Sequence, residues 1–327
     1  MRLRSLFLTL ALAVTLAFVL SLPARGAAAA EPLRFSITAD NRGASGFQSI
    51  LQQIAKLPGG AGAFMLLAGD IAPVATTREH LETAFGKSFL WYSAVGNHET
   101  SPSGGIDEMK ALRDYFNERL KDKVTPGPQG TAETTYSFDA GDVHIAVINQ
   151  YWNGESRAGS DTCTLAEFAP PLRRWLRRDL EASHKPWKIV MGHEPPYPQP
   201  DQHWGTARHT TGALQALSPN ACKDFWSILD ETGVAAYVCG HTHMYSRYQP
   251  AGSHVWQIDA AQARDDKNWK NDAFVIVTAD PGSLKFETYR NLKVRGEFEV
   301  ADTLTLKPAD VQPKAAAAPA TAPDPAK

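Results

Sequence analysis

The chain has 327 residues, a formal net charge of −2 and 43% hydrophobic residues. There is no basic surplus to support nucleic-acid binding as a main function, and no specific nucleic-acid partner is expected. Once a leader and a polar tail are set aside, about 275 residues remain, enough for one large α/β domain.

Residues 1–30 read as a secretory signal peptide. Arg2 and Arg4 give a positive start, residues 6–22 form an apolar run, Pro23 breaks it, and Ala28-Ala29-Ala30 offers a cleavage site. An uncleaved anchor is the competing reading, because the run is near the lower limit for a spanning helix. The small-residue cluster favours cleavage and a periplasmic or secreted product with no membrane attachment. The leader has no cysteine, so a lipid anchor is not expected. Removing Arg2, Arg4 and Arg25 leaves the mature chain more acidic.

Short apolar runs, polar clusters and helical stretches then alternate, with no repeat at solenoid period. Strands are predicted at 33–38, 63–68, 89–95, 134–138, 143–149, 187–191 and 234–239. Helices are predicted at 46–57, 78–85, 106–121, 165–183 and 222–231. Asp139-Ala140-Gly141-Asp142 reads as a hairpin turn. Arg173, Arg174, Arg177 and Arg178 fall in a helical pattern and read as a solvated face. From 245 to 300 strand follows strand, which suggests a mixed sheet or two packed sheets with helices outside. The domain is expected to span 31–306. Residues 307–327, rich in Ala and Pro, are expected to be disordered. Export permits a disulfide. Spacing leaves the pairing open, but Cys163 and Cys222 have loop-like neighbours and are the expected pair. Cys239 ends an apolar strand and is expected to stay a thiol.

Five apolar runs end alike: Asp40-Asn41-Arg42, Gly69-Asp70, Gly96-Asn97-His98-Glu99, Gly192-His193-Glu194 and Gly240-His241-Thr242-His243. In open α/β sheets, ligands bind beyond the carboxyl ends of strands. A lone Asp there is ordinarily a turn former or cap, and a lone His is ordinarily satisfied without a metal. The combination points elsewhere. Carboxylate, amide and imidazole together suit Zn, Mn or Fe. His241 and His243 share a face if the strand continues. Asp70 has two oxygens with which to bridge a pair of ions that clamps an in-line phosphoryl displacement.

The ordered set Gly-Asp, Gly-Asn-His-Glu, Gly-His and Gly-His-Thr-His resembles the calcineurin-like metallophosphoesterases, which include the purple acid phosphatases. The resemblance covers roughly residues 35–248. It implies a four-layer α/β/β/α sandwich of two mixed sheets flanked by helices, and two divalent or trivalent ions (Fe, Zn or Mn). One ion would be held by Asp40, Asp70 and His243, the other by Asp70, Asn97, His193 and His241. The implied reaction is hydrolysis of a phosphate monoester or diester by a metal-bound hydroxide, with Asp70, Asn97 and His98 catalytic and with Asn97 and His98 also touching the phosphate. The sequence departs from the pattern at Arg42, where many members place a histidine ligand. A guanidinium cannot ligate, but its fork suits a phosphate oxygen.

The Pro-rich stretch 195–212 follows the His193 cluster and carries His203, Trp204, Arg208 and His209. His203 and Arg208 are candidate substrate contacts there. Two alternatives compete. An amidohydrolase-type barrel would place its His-x-His on the first strand, not the last. A non-catalytic metal- or phosphate-binding protein on the same scaffold finds its support in Arg42.

Overall fold

The computed structural model describes residues 31–314, apart from 102–104, 158, 164, 211–213 and 215–218. The expected leader and residues 315–327 of the expected tail lie outside the described residues.

In chain order the first elements are β1 (Leu33–Thr38), α1 (Ser45–Lys56), β2 (Phe64–Leu67), α2 (Val74–Phe85), β3 (Leu90–Ser93), α3 (Gly105–Tyr115), β4 (Thr125–Pro126), β5 (Tyr136–Ala140) and β6 (Val143–Val147). There follow α4 (Pro170–Ala182), β7 (Trp187–Met191), α5 (Pro219–Glu231), β8 (Ala236–Cys239), β9 (Tyr245–Tyr248), β10 (Trp256–Ala260), β11 (Ala273–Asp280), β12 (Ser283–Asn291) and β13 (Phe298–Leu306). They make a six-stranded sheet ordered β13-β12-β11-β1-β2-β3 and a seven-stranded sheet ordered β4-β5-β6-β7-β8-β10-β9. Both are mixed: β1, β2 and β3 are parallel, as are β6, β7 and β8, while the flanking pairs β1–β11 and β5–β6 are antiparallel.

The sheets meet through aromatic side chains. Tyr92 of β3 stacks on Phe138 of β5 at 3.8 Å, and Phe64 of β2 meets that ring edge-on at 5.6 Å. Helices cover the outer faces. In α1, Phe47, Ile50, Leu51 and Ile54 are buried, the spacing of one apolar helical stripe. Tyr115 of α3 stacks on Trp91 of β3, and Phe225 of α5 lies edge-on to Tyr237 of β8. This is the four-layer sandwich that the resemblance implied. Among the described residues, no helix is long and apolar enough to cross a membrane.

Three expectations need correction. The helix expected from 165 begins at Pro170, because Pro170-Pro171 sit in its first turn, where a missing N–H costs nothing. The expected disorder does not begin at 307. Residues 308–310 form a 3₁₀ turn, Val311 is buried, and the Lys314 N–H donates to the Asp230 carbonyl at 3.0 Å. The expected Cys163–Cys222 disulfide is absent, and all three cysteines are free. Cys222 lies in the first turn of α5 with its side chain in the core rather than in a loop.

Candidate metal centre

The carboxyl ends of β1, β2 and β3 in one sheet and of β6, β7 and β8 in the other open onto one cluster of side chains. Backbone strain marks the place. Among the described residues, the non-glycine residues with positive φ are Asp40, Arg42, Asp70, His209, His241, His243, Ala261 and Asp265. Such conformations cost energy and concentrate where the surroundings enforce them. Glycine serves close packing of these strand ends. A Cβ on Gly96 would lie 2.4 Å from Asp70 Oδ1, and one on Gly240 would lie 2.4 Å from Asp40 Oδ2.

Asp40, Asp70 and His193 are buried and offer ligand atoms within 4.8 Å of one another. His193 Nε2 lies 3.4 Å from Asp70 Oδ1 and 3.3 Å from Asn97 Oδ1. His241 Nδ1 lies 3.2 Å from Asn97 Oδ1 and 3.3 Å from His193 Nε2. Atoms that share one ion at roughly 2.0–2.2 Å are spaced like this. The His193 tautomer also fits a metal. Its Nδ1–H donates to the Ala68 carbonyl at 2.7 Å, which leaves the Nε2 lone pair facing the cluster. Asp40 Oδ1 is buried without a hydrogen-bond partner and lies 3.2 Å from His243 Nε2. The donor set therefore fits metal ions, with Asp70, Asn97, His193 and His241 on one side and Asp40 and His243 on the other. His241 and His243 do not share a strand face. β8 ends at Cys239, and each histidine turns through a positive φ toward its own neighbours.

Charge supports the same reading. Burial works against the Asp40 carboxylate, yet the rings of His243, His193 and His241 hold it well below the usual range. Burial disfavours a charged His193, but Asp70 and Asp40 outweigh it and lift that ring to about 9. A bound cation would take the place of this proton. Burial, with the charge of His193, takes His241 down to about 3, so it stays a neutral donor.

His98 stands beside the cluster. Its N–H donates to Asp70 Oδ1 at 3.0 Å, and its half-buried ring has Nε2 3.6 Å from Asp70 Oδ2. Burial pulls it below its ordinary value against Asp70, and Arg42 adds to that pull. Arg42 is tied in through its N–H to the Asp70 carbonyl at 3.0 Å. Arg208 reaches the cluster by donating to His243 Nδ1. His203 is exposed and meets the Trp204 ring at 4.3 Å. No contact between it and the cluster is found among the described residues. Its neighbour His209 is the one that arrives, its ring 4.7 Å from that of His241. The loop carrying both is pinned by the buried pair Asp201–Arg290, bonded twice at 3.0 and 2.7 Å.

Three supporting residues had no role assigned from the sequence, although Glu99 stood in one of the five clusters. The Glu99 carboxylate accepts the N–H groups of Asp70, Ile71, Ala72 and Gly96 at 2.7–3.0 Å and so fixes two of the strand ends. Burial and the Asp70 charge push it up to about 7. Gln150 Oε1 accepts the N–H groups of His193 and Glu194 at 2.7 Å, and its Nε2 donates to the Glu194 carbonyl. Gln150 follows β6, a sixth apolar run that ends at the site, but without the ionisable group that marks the others or the glycine that marks four of them. Arg264 comes from the segment after β10 and touches both Asp40 and His243.

A model of the calcineurin-like phosphoesterase family matches residues 33–245, more than half of the chain. The chain belongs to that family. The phosphoesterase fold carries over to known proteins at low identity. The chain is 26% identical over 197 residues to purple acid phosphatase 21 of Arabidopsis thaliana, covering 57% of this chain and 38% of that one. It is 27% identical over 214 residues to an acid phosphatase of Aspergillus ficuum, covering 55% and 32%. The chain thus spans about a third of the length of these curated relatives. The solved structure of PhoD superposes with a TM-score of 0.58 at 10% identity, covering 86% of this chain and 70% of that chain. GAP50, described as the anchor in the inner membrane complex of Plasmodium, superposes at 0.53 with 13% identity, covering 85% of this chain and 89% of that one. These two likenesses concern the fold alone.

Proposed function

We propose that this protein is an exported, metal-dependent phosphoesterase that hydrolyses phosphate monoesters or diesters at a centre of two ions, Fe, Zn or Mn. The carrying observation is that His193 Nε2 lies 3.3–3.4 Å from Asp70, Asn97 and His241, with His241 3.2 Å from Asn97 and the His193 Nδ1–H committed to the Ala68 carbonyl. Asp70 would be shared by both ions, with Asp40 and His243 completing the first position. When bound, the ions supply Lewis-acid polarisation of the phosphoryl group and an activated water.

The side chains supply the rest. Asn97, beside His193 and His241, and His98, beside Asp70, would orient the phosphate. Water gives up a proton to solvent as it adds to phosphorus, the bond to the leaving oxygen breaks, and His98 gives that oxygen its proton and takes one back from solvent. Arg42 and Arg208 bring guanidinium groups suited to the phosphoryl oxygens. Export rests on the positive start, apolar run and small-residue cluster of residues 1–30.

The test is phosphate release from p-nitrophenyl phosphate, and p-nitrophenol release from its bis ester, before chelation, after it, and after adding back Mn, Zn or Fe. Turnover of at least one ester that disappears on chelation and returns with metal is expected. Absence of turnover with every metal would leave the scaffold a binding protein.

A further inference from the structure

We propose that Arg264, standing beside Asp40, competes with a metal ion for His243, so that the two ion positions differ in affinity. This rests on the two-ion phosphoesterase reading above. The Arg264 Nε–H donates to the Asp40 carbonyl at 2.6 Å, and its Nη2 lies 3.1 Å from His243 Nε2. The same ring nitrogen is 3.2 Å from Asp40 Oδ1, the buried oxygen without a hydrogen-bond partner. A guanidinium thus stands against His243 Nε2, one of the two donors that a first ion would use, and is anchored on the backbone of the residue that carries the other. It keeps its protons, so it repels a cation and stands where that ion would approach Nε2.

His243 is held from its other side as well, where Arg208 meets Nδ1. A neutral imidazole has one lone-pair nitrogen. For Nε2 to coordinate, Nδ1 must carry the proton and donate it, as His193 Nδ1–H does to the Ala68 carbonyl at 2.7 Å. Arg208 is a donor and offers His243 Nδ1 no acceptor. One imidazole is preset for a metal, and the other is engaged by two arginines.

The aim of Arg264 is built into the fold. Its N–H and that of Asp265 donate to the Asp272 carboxylate at 3.1 and 3.0 Å. Gly46 packs so closely that a Cβ there would lie 1.9 Å from the Arg264 carbonyl oxygen. Ala261 and Asp265 flank it with φ of 63° and 46°. An anionic phosphate is a better acceptor for a guanidinium than an imidazole. Substrate therefore draws Arg264 off His243, and the first position fills best when phosphate is present.

Calorimetric titration of Mn²⁺ into the metal-stripped full chain tests this. Wild type is expected to bind two equivalents, the second about ten-fold or more weaker, the worth of one charge-assisted hydrogen bond. Asp40→Asn should remove the weaker equivalent and keep the tighter one. Arg264→Met should narrow the gap. Arg264→Lys, which keeps the charge without the planar fork, should leave an intermediate gap, and circular dichroism checks the fold of each variant. Two equal affinities in wild type, or a gap that neither Arg264 variant changes, would overturn the proposal while the two-ion reading stood. Binding of no ion by wild type would overturn both.

Discussion

Asp70→Ala is expected to empty the centre of metal and to lower turnover by more than about 10³-fold, beyond the 10²–10³-fold cost of removing a single transition-state donor. Asp70 is the carboxylate that both ion positions would share, with Oδ1 3.4 Å from His193 Nε2 and Oδ2 3.6 Å from His98 Nε2. Loss of activity through misfolding is separable from loss of metal. Asp40, Asp70 and Glu99 crowd negative charge into a buried space, and the Asp70 charge is one of the causes that push Glu99 up to about 7. Removing one of these like charges relieves repulsion in the metal-free protein. The variant also loses the carboxylate partner of His193 and the acceptor of the His98 N–H, so circular dichroism checks its fold while elemental analysis finds it without metal. Wild-type turnover in Asp70→Ala would remove this residue from the centre.

His98→Asn should behave in the opposite way toward metal. His98 stands beside the ligands rather than among them, its ring half-buried and directed at Asp70. A proton donor to a leaving oxygen contributes about 10²–10⁴-fold in rate, so turnover should fall within that range while metal content stays near wild type. Burial and the Arg42 charge lower its proton affinity in the free protein. A bound anionic phosphate acts in the reverse sense. The deficit should shrink for esters whose leaving group needs no proton, such as p-nitrophenolate, relative to alkyl phosphates. A variant that loses its metal would make His98 a ligand instead.

The six candidate ligands were legible in the sequence because each follows an apolar run that had to be a buried strand. Five such runs ending in polar residues are hard to explain as turns alone. The two sheets were legible for the same reason, since buried parallel strands read as short continuous apolar runs. Other features depend on pairings far apart in the chain. Arg264 reaches Asp40 because β10 pairs parallel with β8, which carries the segment after β10 to the strand ends. Nothing local in Ala261-Gln262-Ala263-Arg264 signals that. Gln150 bears no charge, so its role emerges only once β6 and β7 lie side by side. Cys222 looked like a loop residue because Pro219 and Asn220 precede it, yet the helix begins at that proline and turns the thiol inward. Residues 307–314 have the composition of a disordered tail, and only the partners of Val311 and Lys314 on the folded domain hold them in place.

The proposed chemistry requires metal at this one cluster. Anomalous diffraction from crystals of the protein grown with Mn²⁺ tests that directly. It should give its strongest peak among Asp70, Asn97, His193 and His241, at about 2.0–2.3 Å from the nearest ligand atoms, with a weaker neighbour beside Asp40 and His243. Crystals of protein that turns over phosphate esters, with no peak among these four residues, would contradict it.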